Sequence, residues 1–375
     1  MNDEKHQGRI IVAYRKAKQW SQEDLARALR VTTRTVQRME KLEMIQNISR
    51  RRLLVGLLGI PAALFGLEEK QNPIEKTTLA INNDRITFFE EEMATHWDMY
   101  HTGGTIRVAR GLDMWINEIT KLVQSSKTSL WQPRTLTLLT MSHQLQACVL
   151  RDRMNYNQAH MASKKAITIA RELGDQELIA SALVREGMTY LHQDRVEEAI
   201  KYLNGALQIS AHIGVPHLRG YALQALSEAY AKAQKPQETW QCIAMAERML
   251  ERQNSKIEHS EARYNFASLT AQQGINAVLL HDYEHALSLI DRSMTNYDPT
   301  RIRGKARLIA QKADAYSGLG YIEESTITAE EALTLAHSVG SSKTVARIKD
   351  LHTTLIQSQW KREPSVARLG ALLEV

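Results

Sequence analysis

Apolar residues recur every three to four positions along most of the chain, a spacing that predicts an all-α protein. In residues 8–41, Ile10, Ile11, Tyr14 and Ala17 mark a first amphipathic helix that ends at Gln19-Trp20. Ser21 is placed to cap a second short helix with Asp24 as its capping-box partner, and Leu25, Ala26 and Leu29 form the buried face. Arg30-Val31 then turn the chain. Thr32 caps a third helix over Thr33–Lys41, in which Val36 and Met39 face inward and Thr33, Arg34, Thr35, Gln37 and Arg38 face outward.

The stretch SRRRLLVGLLGIPAALFGL, residues 49–67, puts Leu53, Leu54, Leu57 and Leu58 on one helical face. This predicts a closing helix with Ser49 as N-cap, Gly59 as terminator and Pro61 as stop. Three arginines before an apolar run also suggest an export signal or a membrane span. A span needs about 20 apolar residues, and Gly56, Gly59, Pro61 and Gly66 interrupt this run. An export signal is expected at the start of a chain and not behind a complete helical domain. The expectation is therefore a cytoplasmic protein with no membrane partner.

From residue 84 onward helical segments alternate with short breaks, and an internal repeat emerges. Its clearest copy runs Leu183, Glu186, Gly187, Tyr190, then Ala199, Leu203, Ala206. A small residue near the start of each second helix recurs at Ala109, Ala159, Ala199, Thr239, Ala286 and Ser325. Close helix approach calls for small residues there, and stacked pairs build an α-solenoid with a concave inner surface. Breaks such as Glu172–Asp175 and His212–Pro216 carry helix-terminating glycines. The fold class is thus all-α, a small helix-turn-helix bundle followed by an α-solenoid of tetratricopeptide-like helix pairs. The domain boundaries are expected at 1–67 for the bundle, 68–83 for a linker, 84–340 for the array and 341–375 for C-terminal capping helices.

Charge changes the picture of the first domain. Residues 1–70 hold fourteen Lys/Arg against eight Asp/Glu, which accounts for the whole net charge of +6; the remainder is balanced at 34 of each. A basic small domain beside a neutral large one points to a polyanion as partner of the first. Two short helices joined by a tight turn, the second bearing outward Arg, Gln and Thr, match a helix-turn-helix. Such a helix fits the major groove, where Arg pairs bidentately with guanine and Gln with adenine. Thr33, Arg34, Thr35, Gln37 and Arg38 are the candidate DNA-binding residues, with Gln22 placed beside a phosphate. The alternative use of this surface is protein contact.

The segments Trp20–Leu29 and Val31–Glu40 resemble the Xre/Cro-type helix-turn-helix family over about fifty residues. Arg30 departs from the Gly or Asn usual in that family, at a cost of about 1 kcal/mol if the backbone there is left-handed. Domain order resembles the RRNPP-type (Rap/Rgg/NprR/PlcR/PrgX) peptide-sensing regulators. That resemblance implies a homodimeric transcription factor that binds double-stranded DNA and holds a short signalling peptide in the groove. It implies that the first helix of each pair supplies the ligand face, which gives Gln144, Arg151, Tyr221, Gln224, Glu228, Arg307 and Asp314 as candidate peptide- or partner-binding residues. The competing reading is a regulator or adaptor whose array binds a protein partner.

Other chemistry is weakly represented. Cys148 and Cys242 form no CxxC pair, which speaks against a disulfide framework and for a reducing compartment. His281 and His285 have i, i+4 spacing without a third ligand or an HExxH pattern, so no metal site is expected. There is no phosphate-binding glycine loop, no GxSxG elbow and no catalytic Cys/His pattern. The expectation is no catalytic residues, no cofactor and no enzyme activity.

Overall fold

The computed structural model describes residues 6–29, 31–67, 73–102, 105–126, 130–252 and 264–374. The expected turn residue Arg30 and residues 68–72 of the expected linker lie outside them. The chain divides into two compact units, Met1–Asn82 and Asn83–Val375.

The first unit contains α1 (Gln7–Ala17), α2 (Gln22–Ala28), α3 (Thr33–Met39), α4 (Ile48–Leu58) and a short 3-10 turn (Ala62–Phe65). Ser21 and Asp24 form the capping box of α2, and Thr32 caps α3 by accepting from the Thr35 N–H. Ile11, Leu25, Ala26, Leu29, Val36, Met39, Leu54, Leu58 and Phe65 make the core. α1 lies so close to the loop after α3 that a Cβ on Gly8 would stand 2.4 Å from the Glu40 carbonyl oxygen. Only glycine allows that approach.

Two details of this unit differ from the sequence expectation. The cap of α4 is Asn47, whose side chain accepts from the Arg50 N–H, so Ser49 falls inside the helix. The expected four-leucine face is also narrower: Leu54 and Leu58 are buried and Leu57 is partly buried, whereas Leu53 is 49% exposed. Leu53 lies one residue before Leu54, about 100° round the helix, so it is carried off the core-facing stripe. The expected terminator holds, with Gly59 at φ 71°. Of the three arginines, Arg51 is used internally and donates from Nη1 to the Phe65 carbonyl at 3.0 Å.

The second unit includes the end of α5 (Pro73–Thr102), α6 (Thr105–Ser125), then five helix pairs. These are α7 (Gln132–Asp152) with α8 (Tyr156–Leu173), α9 (Gln176–Leu191) with α10 (Val196–Ile213), α11 (Pro216–Lys232) with α12 (Pro236–Glu251), α13 (Phe266–Leu279) with α14 (Tyr283–Thr295), and α15 (Ile302–Gly318) with α16 (Ile322–Val339). α17 (Ser342–Gln357) and α18 (Pro364–Leu373) follow. No strand occurs among the described residues.

The repeat register follows the small residues. Ala159, Ala199, Thr239, Ala286 and Ser325 are fully buried, each at the fourth position of the second helix of its pair. Ala109, the first of the six recurring small positions, is only partly buried. Within pairs, Gly187 and Gly274 let the helices touch: an added Cβ would meet Leu203 Cγ at 2.8 Å and Ile290 Cγ1 at 2.7 Å.

A second periodic feature was not visible in the residue types. The turn inside each pair passes through one left-handed residue, successively Met154, Asp194, Gln234, His281 and Gly320, with φ between 57° and 80°. Only the last is the glycine that such a backbone favours. The array also returns on itself. Ile106 of α6 packs at Gly340, and Ser341 Oγ donates to Asp152 Oδ1 of α7 at 3.1 Å.

Candidate functional site

On the first unit, the outer face of α3 carries Arg34, Gln37 and Arg38 exposed and Thr33 and Thr35 partly exposed. Its pose is set by a buried ion pair that sequence reasoning missed. Arg15 Nε lies 2.6 Å from Glu40 Oε1, and Arg15 also donates to the Trp20 carbonyl at 2.7 Å. Glu40 Oε2 accepts from Gln22 Nε2 at 2.5 Å, and Gln22 Oε1 accepts from Gln37 Nε2 at 3.3 Å. Gln22 therefore links the end of α3 to a candidate base-reading residue through internal hydrogen bonds. The ladder Arg15–Glu40–Gln22–Gln37 ties α1, α2 and α3 together. The only sequence trace of it is two opposite charges 25 residues apart in a basic domain.

The second unit encloses a cavity of about 380 Å³, walled by first helices of successive pairs together with α5 and α17. That volume lies in the range of small-ligand pockets, about 300–1,000 Å³. Seven Lys/Arg and four Asp/Glu line it. Arg307 Nη2 donates to both oxygens of Glu228, at 2.8 and 2.7 Å. Burial alone would raise the Glu228 pKa, but the charges of Arg307, Lys343 and Lys232 outweigh it and hold the carboxyl at about 2. Arg303 sits 3.7 Å from Asp152 and stacks over the buried Tyr100 ring at 4.1 Å, while Arg185 stacks over Trp97 at 4.7 Å. Burial pushes the Tyr100 phenol up to about 12, so it stays protonated and donates to the Cys148 carbonyl at 3.3 Å.

At one side of the cavity Lys343 Nζ lies 2.6 Å from His192 Nε2. Desolvation, with Lys343 and the arginines nearby, lowers the His192 pKa well below the ordinary imidazole value. The ring is therefore neutral at pH 7. Where Lys343 donates to Nε2, the ring proton sits on Nδ1. His192 Nδ1, Arg303 Nε, Gln224 Oε1 and Asp152 Oδ2 have no hydrogen-bond partner among the described residues. Both donors and acceptors in the lining thus stand unused, which suits a polar ligand.

Of the seven residues projected for the groove, Arg151, Tyr221, Gln224, Glu228 and Arg307 line the cavity. Gln144 and Asp314 do not. Gln144 is buried between helices, where its Oε1 accepts from Ser181 Oγ at 2.9 Å. Asp314 accepts from Arg347 Nε at 2.5 Å, joining α15 to α17; burial pushes its carboxyl pKa up despite that arginine. The projection passed over His192, Asp152, Lys343 and Arg347. The last two belong to α17, expected as a cap. His281 serves as a turn residue with φ 62°, its Nδ1 2.7 Å from the Tyr283 hydroxyl, and His285 Nδ1 lies 3.3 Å from Asp282 Oδ2.

Comparison with known proteins agrees with this division. Residues 11–65 match the helix-turn-helix family model, and residues 180–212 match a tetratricopeptide repeat model. No curated protein matches the chain. Among solved structures, a Rap protein complexed with competence and sporulation factor is 11% identical, with 78% of this chain aligned to 87% of that one at a TM-score of 0.52. The apo form of RapI is 15% identical over 78% of this chain and 91% of that one, TM-score 0.47. Bacillus thuringiensis PlcR in complex with the peptide PapR7 and DNA is 14% identical over 66% and 95%, TM-score 0.37. At 11% identity the likeness to the Rap structure is one of fold. The chain is a helix-turn-helix domain followed by a tetratricopeptide-like array, and no described helix is long and apolar enough to cross a membrane.

Proposed function

We propose that this chain, a helix-turn-helix domain carried with a tetratricopeptide-like array, is a cytoplasmic bacterial transcriptional regulator that acts as a homodimer. Its α3 face reads double-stranded DNA, and a short signalling peptide in the array cavity modulates that binding. The observation that carries the DNA half is the exposed Arg34, Gln37 and Arg38 on a helix held by the buried Arg15–Glu40 pair, within the segment matched by the helix-turn-helix model. The ligand half is supported by the polar cavity with unused donors and acceptors. A cavity walled by helices on several sides favours a short ligand over a folded protein partner. The Rap structure, complexed with competence and sporulation factor, shares the array fold and so supplies a precedent of architecture.

Coupling would follow from the crossing bonds. Asp152 near the start of the array holds Ser341 and Arg303 near its end, so a ligand that competes for Asp152 or Lys343 alters how the array closes. Half-sites lie about 34 Å apart per helical turn, and a change in array closure that moves the two heads of a dimer shifts DNA affinity. The test is a binding titration of purified protein on its own promoter region, with and without peptides extracted from culture. Arg34→Ala and Gln37→Ala should each cost about 1–3 kcal/mol of specific binding. Equal DNA affinity with and without every peptide fraction would remove the sensing half. Unchanged affinity in both variants would remove base reading by α3.

A further inference from the structure

We propose that the Lys343–His192 side of the array cavity, together with Arg151, is a receptor for an oxyanion, the carboxylate or phosphate group of whatever ligand the cavity takes. The inference rests on the cavity being a ligand site and is independent of DNA binding.

Three observations converge on it. First, positive charge in the cavity wall exceeds negative, seven residues to four. Second, the excess is localised. Arg307 is committed to Glu228, Arg347 to Asp314 and Lys232 to Asp194. Lys343 and Arg151 have no carboxylate within ion-pair distance among the described residues. Lys343 meets a neutral imidazole, and Arg151, only 6% exposed, donates from Nη1 to the Arg185 carbonyl at 3.3 Å. Third, two further nitrogens of the cavity lining, His192 Nδ1 and Arg303 Nε, have no hydrogen-bond partner among the described residues.

A partly buried cation facing other cations is costly, and the usual compensation is a carboxylate from the same chain. The nearest candidate, Glu228, is already held by Arg307 through both of its oxygens. Desolvation first, and then the charges of Arg307 and Arg151, outweigh the attraction of Glu228 and Asp152 and lower the Lys343 proton affinity well below the ordinary lysine value. An incoming oxyanion supplies what the wall lacks. It accepts from the ammonium and a guanidinium at once, in the charge-assisted geometry that makes such bonds strong. Arrangement matters here as much as charge. Lys343 comes from α17, His192 follows α9 and Arg151 ends α7, so an anion seated among them would join three elements from opposite ends of the array.

The test uses the full chain and follows intrinsic tryptophan fluorescence and thermal unfolding with four probes: inorganic phosphate, acetate, and trialanine with a free or an amidated C-terminus. The expected result is saturable binding of phosphate or of the free-acid peptide, with a rise in Tm, and none by the amidated peptide. Preference for phosphate over both carboxylates identifies a phosphate-bearing ligand; preference for the free-acid peptide identifies a peptide terminus. Lys343→Met should weaken binding about tenfold to a hundredfold, and Lys343→Arg should retain most of it. Circular dichroism of Lys343→Met should match the parent, which separates lost binding from lost fold. Failure of all three free anions to bind, or equal binding by Lys343→Met, overturns the inference. Anion binding without any change in DNA affinity would leave it standing and remove the regulatory reading. A culture peptide that changes DNA affinity equally in Lys343→Met would do the reverse.

Discussion

Lys343 Nζ lies 2.6 Å from His192 Nε2, a contact between residues 151 positions apart that brings α17 against the end of α9. Around this pair stand Arg307 and Glu228, Arg151 and Asp152, and Lys232, so two bases share a region dominated by cations.

That arrangement costs stability. The folded pKa of Lys343 is depressed below its unfolded value, so protonation at neutral pH opposes folding, and the penalty fades as pH rises from the folded toward the unfolded value. Lys343→Met is expected to raise stability at pH 7 by about 1 kcal/mol. Urea midpoints at pH 7 and pH 9.5 check this: the gain should shrink at the higher pH. A Lys343→Met variant less stable than its parent at pH 7 would contradict the account.

Glu228 has the opposite sign. Its folded pKa of about 2 lies below the unfolded value of 4.5, so its contribution is fully present above about 4.5 and is lost as pH falls toward 2. The shift corresponds to on the order of 3 kcal/mol. Glu228→Gln should flatten the acid limb of the stability–pH curve between pH 4.5 and 2 while leaving a hydrogen bond to Arg307. Unfolding curves across that window that superimpose on the parent's would rule the pair out as its source.

In the first unit, Glu40→Ala strands the Arg15 guanidinium in a buried position and releases Gln22. The expected loss is about 3–5 kcal/mol, read as roughly hundredfold or faster amide exchange across α2 and α3. Glu40→Gln should lose less, because it can still accept from Arg15 and Gln22. If exchange in α3 is unaffected by Glu40→Ala, the pair does not hold α3.

Gly320 isolates a backbone effect. At φ 80° it occupies the left-handed turn position, and an added Cβ would meet nothing within 4 Å. Gly320→Ala is therefore expected to cost about 1–2 kcal/mol from conformation alone, with Gly320→Asn cheaper. A shift in denaturant midpoint at constant m-value is the measurement.

Much of the architecture was legible in residue order. Caps at Ser21 and Thr32, the inward pair Val36 and Met39, the terminator Gly59 and the buried small residues Ala159, Ala199, Thr239, Ala286 and Ser325 all answer to local rules of period, capping and size. These rules act within one helix or between one helix and the next, so a single sequence carries them. Leu53 shows their resolution limit: adjacent leucines cannot both face a narrow core, and periodicity alone does not choose between them.

What tertiary structure alone decided is which polar groups meet. Arg15 with Glu40, Arg307 with Glu228, Lys343 with His192 and Ser341 with Asp152 join residues 25 to 189 positions apart. No period links them, because each depends on how several helices accumulate their small rotations before the chain returns. The sequence by itself thus determined helices, their pairing and a basic helix-turn-helix domain. The closure of the array determined which charges compensate one another and which were left facing the cavity.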